Sequence, residues 1–173
     1  MLAMALLELP HTAGCVACGP LNPHGLHLSL FVDPDDGTVR TEFTPLPAHI
    51  GFEGVLHGGV LATVLDEAMV WAATWSGRRF CLCGELTVRF RAVATIGQPL
   101  TITAKIDTSR PRLIQTRAHA HDASGGLVAE ATAKYVPVPV QRNREFVKTL
   151  LDEPSTVTTA DELRRAAVST EGR

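Results

Sequence analysis

No apolar run in this sequence approaches the roughly 20 residues that a helix needs to cross a bilayer, so no membrane span is expected. Nor does one sign of charge dominate, since 16 Lys and Arg stand against 18 Asp and Glu for a formal net charge of -2. Without a basic excess there is no global field to draw nucleic acid or an anionic membrane surface. The expected partners are therefore small molecules or proteins. A basic leading segment is missing too: Met1 to Leu9 is apolar, and no small-residue cleavage pattern follows it, which points to a cytoplasmic protein. Cysteine is sparse, with four residues falling as Cys15-x-x-Cys18 and Cys81-x-Cys83. Two such pairs can be halves of a tetrahedral metal site. Cys81 and Cys83, however, lie in a strand-like stretch where alternate residues share a face. Reduced, partly buried thiols are the expectation, with no metal and no cofactor.

What is present is an ordered globule's share of apolar residues, 45% of 173, a length that suits one domain with a sizeable core. Residues 1–25 hold Pro10, Gly14, Gly19, Pro20, Pro23 and Gly25 and read as a turn-rich lead-in. Residues 26–32 and 38–44 alternate apolar and polar side chains around Asp33-Pro34-Asp35-Asp36-Gly37, the pattern of an antiparallel hairpin. Strand-like stretches follow at 80–91, 99–107, 113–121 and 127–136, giving about six strands. Residues 26–137 thus form an α+β domain, a curled antiparallel sheet around one long helix. Beyond it, 138–173 is charged and mildly amphipathic and reads as a tail or docking arm.

The helix carries the chemistry. From Gly58 to Trp75 the apolar positions 61, 65, 68, 72 and 75 recur in steps of four and three. Between Val60 and Thr74 the ionisable side chains are Asp66 and Glu67 alone. An ionised acid in such surroundings costs several kcal/mol unless paired, a cost that functional sites bear more often than scaffolds do. Upstream, His57-Gly58-Gly59 would open the helix, where unpaired N–H groups and the helix dipole favour a developing oxyanion. Gly58 and Gly59 let a carbonyl oxygen approach that backbone. His57 either holds the loop or touches the substrate. Asp66 lies about 12 Å along the helix from Gly58 by helix rise, so one chain cannot easily use both. Two helices meeting antiparallel across a dimer axis can. A different reading takes Thr63-Val64-Leu65-Asp66 as a capping box that starts the helix at Thr63. Glu67 points about 100° away from Asp66, a geometry that argues against a carboxylate dyad of the two.

His57-Gly58-Gly59 followed by Asp66-Glu67-Ala68 resembles the hot-dog-fold acyl-CoA thioesterases, in particular the phenylacetate-pathway type related to 4-hydroxybenzoyl-CoA thioesterase. The segment Cys15-Val16-Ala17-Cys18-Gly19-Pro20-Leu21-Asn22-Pro23-His24-Gly25-Leu26 and the strand Glu85-Leu86-Thr87-Val88-Arg89-Phe90-Arg91 extend the resemblance over residues 15–137. It implies a hydrolase that cleaves acyl-CoA to free acid and CoA as a homodimer or a dimer of dimers. By the same resemblance the Gly58 amide serves the oxyanion, His57 shapes the carbonyl site, and Asp66 of the partner chain is base or nucleophile. Gly59, Thr63, Glu67, Cys83 and Gly84 would lie at the substrate. Arg89 and Arg91 would serve the phosphates of coenzyme A, with Arg110 and Arg112 as lesser candidates. Two departures stand out: Cys81-Leu82-Cys83-Gly84 replaces a threonine that relatives carry early in the strand after the helix, and Ala92-Val93 replaces an arginine-proline pair. A non-catalytic acyl-thioester binding or sensing module on the same fold is the competing expectation.

Overall fold

The helix that the periodicity places at Gly58 to Trp75 runs from Gly58 to Gly77 (α1) in the computed structural model, which describes residues 5–169. Its start is fixed by His57, whose Nδ1 accepts the Gly59 N–H at 2.9 Å and so satisfies one of the orphan donors of the first turn. Thr63 is not the cap. Its Oγ1 donates to the Gly59 carbonyl at 3.0 Å, one turn back along a helix already under way. At the other end Arg78 adopts a left-handed conformation, φ 49°, and its N–H caps the Thr74 and Trp75 carbonyls. The Arg78 guanidinium lies 3.8 Å over the Trp75 ring, a cation–π contact that offsets the strain of a non-glycine residue at positive φ. Leu61, Val64, Leu65, Ala68, Met69, Ala72 and both tryptophans are buried. The face left half-exposed or exposed carries Gly59, Ala62, Thr63, Asp66 and Val70.

A seven-stranded antiparallel sheet wraps that helix. In chain order its strands are β1 (Leu7–Glu8), β2 (Phe31–Val32), β3 (Val39–Phe43), β6 (Cys81–Phe90), β7 (Leu100–Arg110), β8 (Leu113–Asp122) and β9 (Leu127–Pro137), following the spatial order β1-β2-β3-β7-β8-β9-β6. A separate two-stranded ribbon, β4 (Ile50–Phe52) and β5 (Val55–Leu56), stands just before α1. The four long strands are the ones that the alternation predicts. Their inward positions are rich in alanine: Ala104, Ala118, Ala120, Ala129, Ala131 and Ala133 are all buried. Small side chains there let α1 and its two tryptophans seat closely on the sheet while the concave face still fills. The strand expected over residues 26–32 forms ladder pairs only at Phe31–Val32. His27 takes φ 52°, which breaks the extended backbone, although Leu28, Leu30 and Val32 are buried as the alternation requires. β1 brings the sheet to seven strands where about six were expected.

The C-terminal region folds back on the body. α2 (Val140–Phe146), a 3-10 turn at Val147–Thr149 and α3 (Val157–Ser169) pack with Ala160, Leu163 and Ala167 buried. Their polar groups reach the rest of the chain: Asn143 Oδ1 accepts the Phe80 N–H at 2.8 Å, the Leu151 N–H donates to His11 O at 2.9 Å, and Thr159 Oγ1 donates to Glu8 O at 2.6 Å. Glu162 of α3 pairs with Arg78, tying the last helix to the end of the central one. Among the described residues no helix is long and apolar enough to cross a membrane.

Candidate active site

The first turn of α1 opens onto an apolar groove of about 310 Å³, lined by Phe52, His57, Gly58, Leu61, Phe90 and Val93 among others. β4 and β5 place Phe52 on one side of it, and the end of β6 places Phe90 on the other. Phe52 is 83% exposed and Phe90 54%, so two large rings stand uncovered beside a helix N-terminus. A Cβ on Gly58 would sit 3.2 Å from Cζ of Phe90, close enough that this half-exposed ring would have to give by a few tenths of an ångström. Its N–H meets no acceptor among the described residues, whereas the Gly59 N–H is taken by His57. The His57 N–H in turn donates to His49 O at 2.9 Å. His57 thus holds the turn together, and of the two glycines it is Gly58 whose amide can meet an oxygen in the groove.

Two turns along α1, Asp66 is held by a residue that the sequence pattern did not single out. The buried Tyr135 of β9 donates its hydroxyl to Asp66 Oδ1 at 2.6 Å and lies 3.1 Å from the Asp66 carbonyl oxygen. Burial and the negative charge of Asp66 hold the Tyr135 phenol well above its ordinary pKa, so it remains a donor at neutral pH. Cys83 is the ladder partner of Tyr135, and burial together with the charge of nearby Asp66 pushes its thiol up to about 11. Cys83 is therefore a neutral thiol at this place. Gly84 is the extra residue of a bulge, since the register steps from Cys83–Tyr135 to Glu85–Lys134. Thr63 lies on the same helix face as Asp66, one turn nearer to the groove. The structure brings Asp66, Tyr135 and Cys83 together, with Gly84 next to Cys83 in the bulge; Gly58 and His57 belong to the start of the helix, two turns away.

Glu67 turns elsewhere. Its largely buried carboxyl accepts the Trp71 indole N–H at 3.0 Å and lies 3.7 Å from Cys15 Sγ of the lead-in. Burial, and then the negative charge of Cys15, raises its pKa to about 7. Arg89 and Arg91 also lie apart from the groove. Phe90 points to Gly58, so its neighbours project from the opposite side of the sheet, where both pair with Glu130: Arg89 at 3.8 Å and Arg91 more closely. These ion pairs hold the Glu130 carboxyl below its usual range. Trp71, Trp75 and Met69 are core residues.

The thioesterase superfamily model matches residues 53–129, a span that runs from the ribbon before α1 to the start of β9. A crystal structure of a thioesterase superfamily protein superposes with a TM-score of 0.65 at 27% identity, over 72% of this chain and 60% of the other. The chain carries the hot-dog fold of the thioesterase superfamily. It is similar in fold to the E. coli PaaI protein from the phenylacetic acid degradation operon, with 19% identity over 66% of this chain and 81% of that one, TM-score 0.61. A hypothetical thioesterase from Streptococcus pneumoniae TIGR4, solved with coenzyme A, aligns at 17% identity over 60% of this chain and 82% of its own, TM-score 0.57. No curated protein matches the sequence. Because this chain spans 60% of the length of the first of these relatives, that protein's whole activity does not transfer with the fold. The central helix in its curled sheet and the phenylacetate-type likeness agree with the resemblance carried by His57-Gly58-Gly59 and Asp66.

Proposed function

We propose that the protein hydrolyses the thioester of an acyl-CoA at a site shared by two protomers. The observation that carries this reading is the placement of two half-sites on one helix. Gly58 offers a free N–H beside an apolar groove, and Asp66 is held by Tyr135 on a half-exposed face of small, uncharged residues. Small residues allow a second helix to approach closely, and an isologous pairing would set each Asp66 against the other chain's Gly58. The exposed edge strand β6 continues the same surface, with Leu82 58% exposed on it, and offers unpaired backbone groups for a partner strand.

In that arrangement the acyl chain lies in the groove between Phe52 and Phe90 and its carbonyl oxygen meets the Gly58 N–H. Preorganised donors of this kind are worth about 2.7 to 4 kcal/mol each in acyl transfer. Asp66 takes a proton from water as the water oxygen attacks the carbonyl carbon; the carbon–sulfur bond then breaks, and the CoA thiolate leaves and is protonated. Attack by Asp66 itself gives an anhydride that water opens, and when water opens it at the aspartyl carbonyl, a single turnover in heavy-oxygen water labels the aspartate, which the general-base route never does. Tyr135 keeps the carboxylate fixed in either case.

The test is release of free thiol from a panel of aromatic and aliphatic acyl-CoAs. Turnover by the wild-type protein that falls at least 100-fold in Asp66→Asn, with the far-ultraviolet spectrum unchanged, is the expected result. Tight acyl-CoA binding with no thiol release from any member of the panel would replace hydrolysis by binding or sensing. Full activity in Asp66→Asn with loss in Glu67→Gln would move the acting acid to Glu67.

A further inference from the structure

The lead-in carries a second constellation, independent of the thioester site. Cys15 Sγ, Cys18 Sγ and a carboxylate oxygen of Glu67 all lie within 4.8 Å of one another, although Glu67 is 52 residues from Cys15 in sequence. Cys81 and Cys83 do not join them. Cys81 Sγ donates to Arg79 O, and Cys83 lies against Asp66.

The turn that presents the two thiols is built tightly. The Cys18 N–H points at Cys15 Sγ at 3.4 Å, and the Gly19 N–H closes the turn on Cys15 O at 2.9 Å. A Cβ on Gly19 would sit 2.5 Å from both the backbone N and O of Cys15, so only glycine permits the turn. The flanking chain is pinned as well, with Leu26 N–H to Val16 O at 2.8 Å and Leu28 N–H to Ala17 O at 2.9 Å. Amide donation to the first sulfur, and a glycine directly after the second cysteine, favour two thiolates aimed at a common point. The third donor is oriented too: the Trp71 indole N–H donates at 3.0 Å to Glu67 Oε1, the same oxygen that faces Cys15, as an outer hydrogen bond holds a metal-binding carboxylate.

The Cys15–Glu67 distance fits a tetrahedral ion. A tetrahedral ion with bonds of about 2.3 Å to sulfur and 2.0 to 2.2 Å to oxygen sets its ligand atoms roughly 3.5 to 3.8 Å apart, and Cys15 Sγ to Glu67 Oε1 is 3.7 Å. Two thiolates and a carboxylate select a borderline-soft divalent ion over magnesium or calcium. No Lys or Arg pairs with Glu67 among the described residues, so the three acids lack a protein cation. Burial already disfavours charge there, and a bound cation would supply the missing compensation.

We propose that Cys15, Cys18 and Glu67 form a zinc site, with water in the fourth position, that fastens the lead-in to the central helix. Binding forms two zinc–sulfur bonds and one zinc–oxygen bond, and the displaced thiol protons leave to solvent. A Cys15–Cys18 disulfide would use the same sulfurs but give Glu67 and its Trp71 donor no role, so the converging carboxylate favours the metal.

The full chain, purified untagged under reducing conditions, is expected to retain about one zinc ion per chain by elemental analysis. The stripped protein titrated with Co²⁺ should develop a thiolate-to-cobalt charge-transfer band and the intense visible absorption of tetrahedral cobalt. Cys15→Ser and Cys18→Ser should each remove the charge-transfer intensity in proportion and weaken binding, whereas Cys81→Ser leaves both spectrum and affinity unchanged. Trp71→Phe, which keeps the sulfurs, should weaken zinc binding about 10- to 100-fold. If a cysteine variant does not fold, the wild-type cobalt spectrum and the Trp71→Phe titration still decide. Zinc far below one per chain together with no charge-transfer band overturns the site. So does a reduced protein that ignores zinc but forms the Cys15–Cys18 disulfide in air, which would make the pair a redox dithiol.

Discussion

A single hydrogen bond, Tyr135 to Asp66, links the sheet to the proposed chemistry, and it can be tested without touching the acid. Hydrogen bonds to charged groups are worth about 1.5 to 3 kcal/mol, so Tyr135→Phe should lower kcat roughly 10- to 150-fold on the best acyl-CoA while leaving circular dichroism unchanged; an unaltered kcat would remove Tyr135 from the site. His57 makes the complementary case at the helix start. Loss of its cap in His57→Ala should cost about 0.5 to 2 kcal/mol in urea denaturation, and Thr63→Ala should stay within about 0.5 kcal/mol of wild type. The reverse order would restore the capping box at Thr63. Gly58, His57 and Asp66 are legible in the sequence because they sit on one short stretch. Tyr135 is not, being 69 residues from Asp66 and joined to it only by the packing of α1 on β9. Arg89 and Arg91, on either side of Phe90, are turned away from the groove by two-residue alternation and meet Glu130 instead.

Among the elements, α1 and the four long strands are legible because each is at least ten residues long and carries a helical or two-residue period over part of that length. The two- and three-residue strands β1, β4 and β5 offer no such period. Alternation at Leu26 to Val32 reported burial correctly but not ladder pairing, since the left-handed His27 interrupts the strand that the side chains imitate. α3 depends on tertiary packing. Its surface is largely polar, and what holds it is Leu163 in the core, the Thr159 bond to β1 and the Arg78–Glu162 pair. Leu163→Ala should therefore cost about 2 to 5 kcal/mol by chemical denaturation. A loss under about 0.5 kcal/mol, the usual range for surface substitutions, would mean that α3 is not part of the cooperative fold.

At the scale of the whole molecule, the proposed reaction needs two chains to share each site. Ala62→Arg places a long cation on the half-exposed helix face and should give a folded monomer by sedimentation, with thiol release lost; an active monomer would refute sharing. Complementation tests it most directly. Asp66→Asn keeps the Gly58 N–H but lacks the acid. Gly58→Pro keeps Asp66 but lacks that N–H, and proline is tolerated at the first helical position after an extended residue such as His57, φ -64° and ψ 127°. Each variant alone should be inactive. Unfolded together and refolded as a mixture, they should recover about one quarter of wild-type thiol release, because half of the dimers are mixed and each mixed dimer holds one intact site. A mixture that dimerises normally yet is no more active than its parts would contradict a site built from Gly58 of one protomer and Asp66 of the other.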